Sequence, residues 1–282
     1  ESIHSWFQGL LGTNEAKYEW MDEGFCTYAQ YEVLNYLKGR KVLNPLKRQY
    51  QSYIRLAKSD YQEPLATHAD FYKLNYVYGV SAYNKGSVFL NQLGYVVGDE
   101  VLKRGMVKYF EKWKYKHPYP EDFEMVFEGK TDKDLTWYFD GVFNTTNYID
   151  FSIRKKGRTY LVSNHGTMSS PVEIVFYGKG QQEIERVWLE NVENNAEIKS
   201  PEKALYAVID PDEFMPDVKR ENNSTKSSIR LHWVWDQPTY YDHDLNLTPW
   251  AKYNYYNGLT PGIMIYKGGP GFTGLSALEP MW

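Results

Sequence analysis

The chain has 282 residues, of which 42% are hydrophobic and 24% charged, with a formal net charge of −4. This composition is typical of a folded globular protein of one or two domains, and the acidic balance argues against a nucleic-acid partner, which usually needs a basic surface. No apolar run approaches the roughly 20 residues of a membrane-spanning helix, and the single cysteine, Cys26, excludes an internal disulfide framework.

The first 28 residues carry acidic and imidazole groups on two predicted short helices. Glu1 and His4 are three positions apart, so they would face the same way on one helix. Asp22 and Glu23 begin a second predicted helix, where negative side chains suit the N-terminal dipole. A histidine and two glutamates on crossing helices are typical of a zinc hydrolase site. Taken alone, the Glu-x-x-His pair also fits an ion pair on a solvated helix.

The whole run resembles the gluzincin aminopeptidases of the M1 family, whose pattern is His-Glu-x-x-His, eighteen residues, and then Glu. Eighteen residues separate His4 from Glu23, an aromatic pair follows His4, and Asp22-Glu23-Gly24-Phe25 matches the family sequence around the third zinc ligand. The resemblance implies that His4 and Glu23 are zinc ligands and that Glu1 is the general base. It also implies a peptide substrate that loses its N-terminal residue.

Part of the family pattern is missing from the sequence. The first histidine of the zinc motif would stand immediately before Glu1, and the strand Gly-x-Met-Glu-Asn, which binds the amino terminus of the substrate in the family, is absent. We therefore expect the chain to be the C-terminal part of a larger enzyme that begins inside the zinc motif. With two of three ligands, it is expected to bind zinc weakly and to show negligible peptidase activity alone.

A second signature follows a polar loop and reads Tyr83-x-Lys85-Gly86. Ser81 is predicted to cap a helix that carries Tyr83 in its first turn. The stretch resembles the family motif Tyr-x-Lys-Gly, whose tyrosine donates a hydrogen bond to the oxyanion of the tetrahedral intermediate. The resemblance implies this catalytic role for Tyr83. Tyr78 matches a second tyrosine of some family members, and packing explains it equally well.

The periodicity of the sequence predicts an α+β fold. Helical spacing dominates up to residue 143, and residues 1–146 resemble the helical half of a thermolysin-like peptidase domain. From Tyr148 the pattern alternates, which predicts short strands and a small β-sandwich over residues 147–212. Residues 213–282 begin with a polar linker and are predicted to form an irregular, aromatic-rich tail of extended strands or loops, or the start of a truncated further domain.

Two other functions fit the same residues. A non-catalytic relative could keep the fold as a binding scaffold, although a scaffold has no need of Glu1, His4, Glu23 and Tyr83 together. A hydrolase of a non-peptide substrate is the other alternative, because relatives of this fold also open lipid epoxides. The 26 tyrosines favour a location outside the cytoplasm or in a cell envelope. The sequence indicates neither the oligomeric state nor the preferred substrate residue.

Overall fold

The computed structural model describes residues 2–39, 42–127, 131, 133–226, 229–233, 243–256 and 258–267. Within these ranges, helices fill the first half of the chain and antiparallel or mixed sheets fill the second half, which confirms the α+β fold class. No helix of the described ranges combines the length and the apolar character that crossing a bilayer requires. Glu1 lies outside the described residues.

Aromatic rings fill the core of the helical half. The ring of Trp20 stacks on that of Phe143 with centroids 4.6 Å apart, and the ring of Phe89 stacks on that of Tyr138 at 4.8 Å. Large buried rings contribute much apolar area per residue, which explains why the sequence is so rich in them. The helices are α1 (Gln8–Leu11), α2 (Trp20–Leu37), α3 (Lys47–Ala57), α4 (Asn75–Gly79), α5 (Gly86–Val97), α6 (Asp99–Trp113), α7 (Pro120–Glu124) and α8 (Thr136–Phe143).

The N-terminal segment is less helical than predicted. Residues 2–7 form consecutive turns, and α1 begins only at Gln8, so His4 does not lie on an α-helix. The backbone N–H of Gly9 donates to the carbonyl of His4, five residues earlier, at 2.8 Å. This wider turn interrupts the four-residue hydrogen-bond ladder that an α-helix needs.

The helices α4 and α5 are joined without a break by a π-helical segment, Val80–Lys85. The prediction that Ser81 caps a helix is therefore wrong, because this residue is buried inside a continuous helix. Gly94 lies within α5. An ideal Cβ at Gly94 would lie 2.9 Å from Leu102 Cδ2 of α6, so glycine lets the two helices approach.

Two antiparallel sheets follow the helices. Their strands are β1 (Phe151–Lys156), β2 (Thr159–Asn164), β3 (Ser170–Tyr177), β4 (Glu183–Val192), β5 (Asn195–Lys199) and β6 (Tyr206–Ile209). One sheet has the order β1-β2-β5 and the other β4-β3-β6. They meet through the buried rings of Tyr160 on β2 and Phe176 on β3, 5.1 Å apart. The domain boundaries at residues 146 and 212 stay predictions.

The loop after β6 connects the strands to the helical half. Tyr50 Oη donates a hydrogen bond to the Phe214 carbonyl at 2.7 Å, and the Asn44 amide donates to the Glu213 carbonyl at 2.6 Å. One cluster of buried apolar side chains continues from the helices into both sheets. The helices and the two sheets therefore share a single hydrophobic core.

The described part of the tail is more regular than predicted. It forms a third sheet, the tail sheet, from β7 (Ile229–Trp233), β8 (His243–Asn254) and β9 (Gly258–Lys267). The strand β7 runs parallel to β8, and β8 pairs antiparallel with β9. The tail sheet contains two prolines. Proline is tolerated in a sheet where its missing N–H faces an unpaired edge. Pro249 lies beyond the residues of β8 that pair with β7, and Pro261 lies on the edge strand β9.

Candidate active site

The structure brings three of the four predicted site residues together. His4 Nε2 lies 3.5 Å from Glu23 Oε2. The phenol of Tyr83 lies close enough to the carboxylate of Glu23 for each group to shift the pKa of the other. The fourth predicted residue, Glu1, lies outside the described residues. Because Tyr83 is 40% exposed, its phenol is accessible from the solvent.

The local backbone around Tyr83 is unusual. This residue lies within the π-helical segment Val80–Lys85, between two α-helical stretches. A π-helical turn contains an extra residue, which re-aims the side chains that follow, and such turns occur frequently at functional sites. The segment therefore gives the phenol a direction that an uninterrupted α-helix would not give it.

Two glycines allow the helix of Glu23 to touch the helix of Tyr83. An ideal Cβ on Gly24 would lie 2.8 Å from the Cα of Gly86, and one on Gly86 would lie 3.0 Å from the Cα of Gly24. No side chain fits at such distances, so only glycine permits this backbone contact. Each glycine belongs to a motif of the sequence, Glu23-Gly24 or Tyr83-x-Lys-Gly86, and the contact sets how far apart the carboxylate and the phenol lie.

Substituting Gly86 with alanine is expected to lower the free energy of unfolding by about 1–3 kcal/mol, because the added methyl group overpacks the helix contact. Urea unfolding followed by circular dichroism measures the change. Gly79→Ala is the matched control, since this helical glycine has nothing within 4 Å of an ideal Cβ. The control is expected to gain about 0.5–1 kcal/mol. Equal losses in both variants would contradict the assigned contact.

Asp22 holds the imidazole ring of His4. His4 Nδ1 lies 2.8 Å from Asp22 Oδ1, and Cys26 Sγ donates to the same oxygen at 3.3 Å. A carboxylate on one ring nitrogen fixes the tautomer and leaves the other nitrogen, Nε2, free to bind a metal ion. Asp22 belongs to the sequence motif around Glu23, but the motif does not predict this role. The spacing of four residues between Asp22 and Cys26 was the available signal.

Both thiol and phenol stay protonated at this site. Burial raises the pKa of the Cys26 thiol, and its hydrogen bond to Asp22 raises the pKa further, so the cysteine is a donor and not a nucleophile. Burial also raises the pKa of Tyr83, as does the neighbouring carboxylate of Glu23. A protonated phenol can donate a hydrogen bond to a developing negative charge.

Burial raises the pKa values of two carboxyl groups, one on α2 and one at its start. Burial raises the pKa of Glu23, whereas the neighbouring phenol of Tyr83 lowers it. Glu19, one turn earlier, is 1% exposed, and burial raises its pKa to about 7. Glu19 is not among the predicted site residues, although its spacing of four from Glu23 places both on one helix face.

The His4 and Glu23 side chains fit a zinc ion. Two ligand atoms on one tetrahedral zinc lie about 3.4 Å apart, because each bond is about 2.0–2.2 Å long. The observed separation of His4 Nε2 and Glu23 Oε2 is 3.5 Å. Glu23 Oε2 is buried and accepts no hydrogen bond from the described residues. A cation between the two atoms would satisfy this acceptor. A buried acceptor that has no partner lowers the stability of the folded state.

A second ligand set lies on the other side of the imidazole. His4, Asp22 and Cys26 offer ligand atoms that all lie within 4.8 Å of one another. The hydrogen bonds among these three side chains account for their closeness. The Nε2 side therefore remains the better candidate for a metal, since its carboxylate oxygen has no other described partner.

Comparisons with known proteins agree on one family. The Peptidase family M1 domain matches residues 1–141. Human Aminopeptidase Q is 19% identical over 215 residues, which cover 73% of this chain and 20% of that protein. Human Aminopeptidase N is 28% identical over 127 residues, which cover 42% of this chain and 13% of that protein.

A solved structure shares the fold. It is described as the crystal structure of Legionella pneumophila aminopeptidase A in complex with aspartic acid, and it matches with a TM-score of 0.56 and 13% identity. The match covers 77% of this chain and 26% of that chain. The chain thus spans about a quarter or less of the length of these proteins. Because the family domain matches half of its 282 residues, the chain belongs to the peptidase M1 family.

Proposed function

We propose that this chain carries the metal-binding and oxyanion-binding part of an aminopeptidase active site, which removes residues from the amino termini of peptides. The observation that supports the proposal best is the 3.5 Å separation of His4 Nε2 and Glu23 Oε2 beside Tyr83. Proteins of the M1 family depend on zinc, and the relatives named above are aminopeptidases.

Each proposed site residue has one task. His4 and Glu23 would hold the zinc ion, which when bound lowers the pKa of a water molecule to about 7. Glu1 would accept the proton of that water and pass it to the leaving amine. Tyr83 would donate a hydrogen bond to the carbonyl oxygen of the substrate as that oxygen becomes negative. Asp22 would hold the ring of His4 in place throughout.

The 282-residue chain is expected to bind zinc weakly, and one added histidine directly before Glu1 is expected to tighten binding on the order of a hundredfold. A four-ligand structural site is worth about 10–16 kcal/mol, so one ligand contributes about 3 kcal/mol. The addition completes the sequence His-Glu-x-x-His ahead of Glu23. Zinc titration against a competing chelator measures both affinities.

An alanine added at the same place is the matched control, because it lengthens the chain equally without supplying a ligand. It is expected to leave the affinity unchanged. One tightly held zinc per unextended chain would contradict the expected weak binding. Equal affinity of the histidine and alanine extensions would contradict the ligand set itself.

Activity measurements distinguish the aminopeptidase from the two alternatives, a binding scaffold and a hydrolase of another substrate. The protein produced from its natural gene is expected to release coumarin from aminoacyl-coumarin substrates and to lose this activity with a chelator or with His4→Ala. A binding scaffold would show no turnover with or without zinc. A hydrolase of another substrate would bind zinc and leave the aminoacyl-coumarins intact.

A further inference from the structure

One face of the tail sheet is apolar. The register of β8 and β9 places Leu247 opposite Ile265 and Tyr253 opposite Leu259. Leu231 of β7 is paired with a residue of β8 that lies on the same side of the sheet as these four. Ile263, two residues before Ile265, points the same way because strand side chains alternate. Every other position of this face whose side chain the structure describes is leucine, alanine, proline or tryptophan. We call this surface, defined by Leu231, Leu247, Tyr253, Leu259, Ile263 and Ile265, the apolar face.

The apolar face is open to solvent. Its exposed fractions are 63% for Leu231, 75% for Tyr253, 67% for Leu259, 53% for Ile263 and 38% for Ile265. These values contrast with the buried interiors of the two preceding sheets. A strand pattern with one apolar side normally packs that side against another layer. The described part of the chain supplies no such layer to these five side chains.

The exposed area is large for a monomer. An aromatic side chain offers about 150–250 Å², and leucine and isoleucine are somewhat smaller, so these five residues expose on the order of 500 Å². The largest apolar patch of a typical monomer is about 300–600 Å² and often functional. Two such faces in contact would bury on the order of 1,000 Å², which is about the least that a specific interface needs.

We propose that the apolar face is the contact surface for a second copy of this chain, with two tail sheets packed face to face about a two-fold axis. The side chains of this face that the structure describes carry no charge, so packing them against a second copy would desolvate no ionic group among them. A two-fold contact uses the same patch on both partners, which a flat apolar face can do.

Pairing through the strand edges is a poorer route to association. Pro249 stands in β8 where β7 no longer pairs with it, and Pro261 stands in the outer strand β9. Proline on an edge strand removes a donor that an added strand would need. The sheet is therefore built to associate through its face.

Sedimentation velocity of the 282-residue chain between 0.1 and 100 µM is expected to show a monomer–dimer equilibrium with a Kd of about 1 µM. Micromolar affinity is the weak end of the range for specific interfaces, as a small contact area implies. Ile263→Glu, which places a charge on the apolar face, is expected to weaken the dimer at least a hundredfold. Thr260→Glu is the matched control. Its side chain lies on the opposite face, across from Lys252, and the dimer is expected to persist.

Cross-linking gives a second measurement that does not depend on a buried charge. The native Cys26 is buried, so a bifunctional maleimide would react mainly with an introduced thiol. Ile263→Cys is expected to yield a covalent dimer, and Thr260→Cys is expected to stay monomeric.

Three outcomes would overturn the proposal: a monomer at every concentration, equal dimerisation of the Ile263→Glu and Thr260→Glu variants, or equal cross-linking of the two cysteine variants. A monomer would mean that another polypeptide segment or a different protein covers the face. None of these measurements involves zinc or peptidase activity, so their failure leaves the proposed function untouched.

Discussion

Replacing Tyr83 with phenylalanine is expected to lower kcat about 100- to 1,000-fold while KM and zinc affinity stay nearly unchanged, because one oxyanion donor is worth about 3–4 kcal/mol in the transition state. In the structure, the phenol lies beside Glu23 and the residue is 40% exposed. Its removal takes away no metal ligand. The measurement is steady-state hydrolysis of aminoacyl-coumarins by the protein produced from its natural gene, with zinc affinity measured in parallel.

Two other tyrosines make this experiment specific. Tyr76 is 58% exposed and lies on α4 of the same continuous helix, so Tyr76→Phe is the matched control and is expected to keep full activity. Tyr78 packs edge-on against Tyr72 with ring centroids 5.6 Å apart, so Tyr78→Phe is expected to have a smaller effect than Tyr83→Phe. A loss of zinc affinity in Tyr83→Phe as large as its loss of kcat would argue for a structural role instead.

The candidate site was predictable because its residues fall in two short motifs with fixed spacing. The spacing of His4 and Glu23, and the stretch Tyr83-x-Lys85-Gly86, can be read directly from the sequence. What the spacing does not reveal is why the motifs contain glycine. That reason is a contact between Gly24 and Gly86, which are 62 positions apart along the chain. Contacts between distant backbones have no local signature.

The π-helical segment was not predictable for a related reason. Ser81 has the preference of an N-cap residue, which favours a helix start at that point. The structure instead continues the helix through it, because the surrounding side chains are buried and packing outweighs the capping preference. Propensity is a weak guide wherever most of a segment is buried.

The alternation of apolar and polar residues indicates the buried strands more clearly than the exposed ones. The strand β3 is buried along almost its whole length and reads as an apolar run. The strand β5 has the sequence Asn-Ala-Glu-Ile-Lys and lies at a sheet edge, with its side chains alternately exposed and half-buried. Such a polar stretch gives little apolar signal, so its sequence alone does not mark the strand.

Replacing Lys85 with methionine is expected to raise the free energy of unfolding by about 5 kcal/mol at pH 6 and by about 2 kcal/mol at pH 9. The lysine is 2% exposed, and its Nζ has no hydrogen-bond partner among the described residues. Burial lowers its pKa from 10.5 to about 7. The ring of Tyr53, centred 5.7 Å from Nζ, offers a cation–π contact that offsets only part of the desolvation.

The sign of the pH dependence follows from the two pKa values. The unfolded chain keeps the proton of Lys85 up to a pH near 10.5, whereas the folded chain loses it above about 7. Between these values the unfolded state binds more protons, so the free energy of unfolding rises with pH. The destabilisation is complete below pH 7 and disappears as the pH approaches 10.5. Methionine has nearly the same length and no charge, so the variant lacks this dependence.

Urea unfolding at pH 6 and pH 9 measures the effect in the chain and in the variant. Lys108→Met on α6 is the matched control, because that lysine is exposed and the same chemical change there removes no buried charge. A difference between Lys85→Met and the unchanged chain that is the same at pH 6 and pH 9 would contradict the prediction. It would mean that Lys85 stays protonated in the folded chain, because a partner compensates the cost of burying its charge. The lysine of the Tyr83-x-Lys85-Gly86 motif would then stabilise the helix contact as a cation.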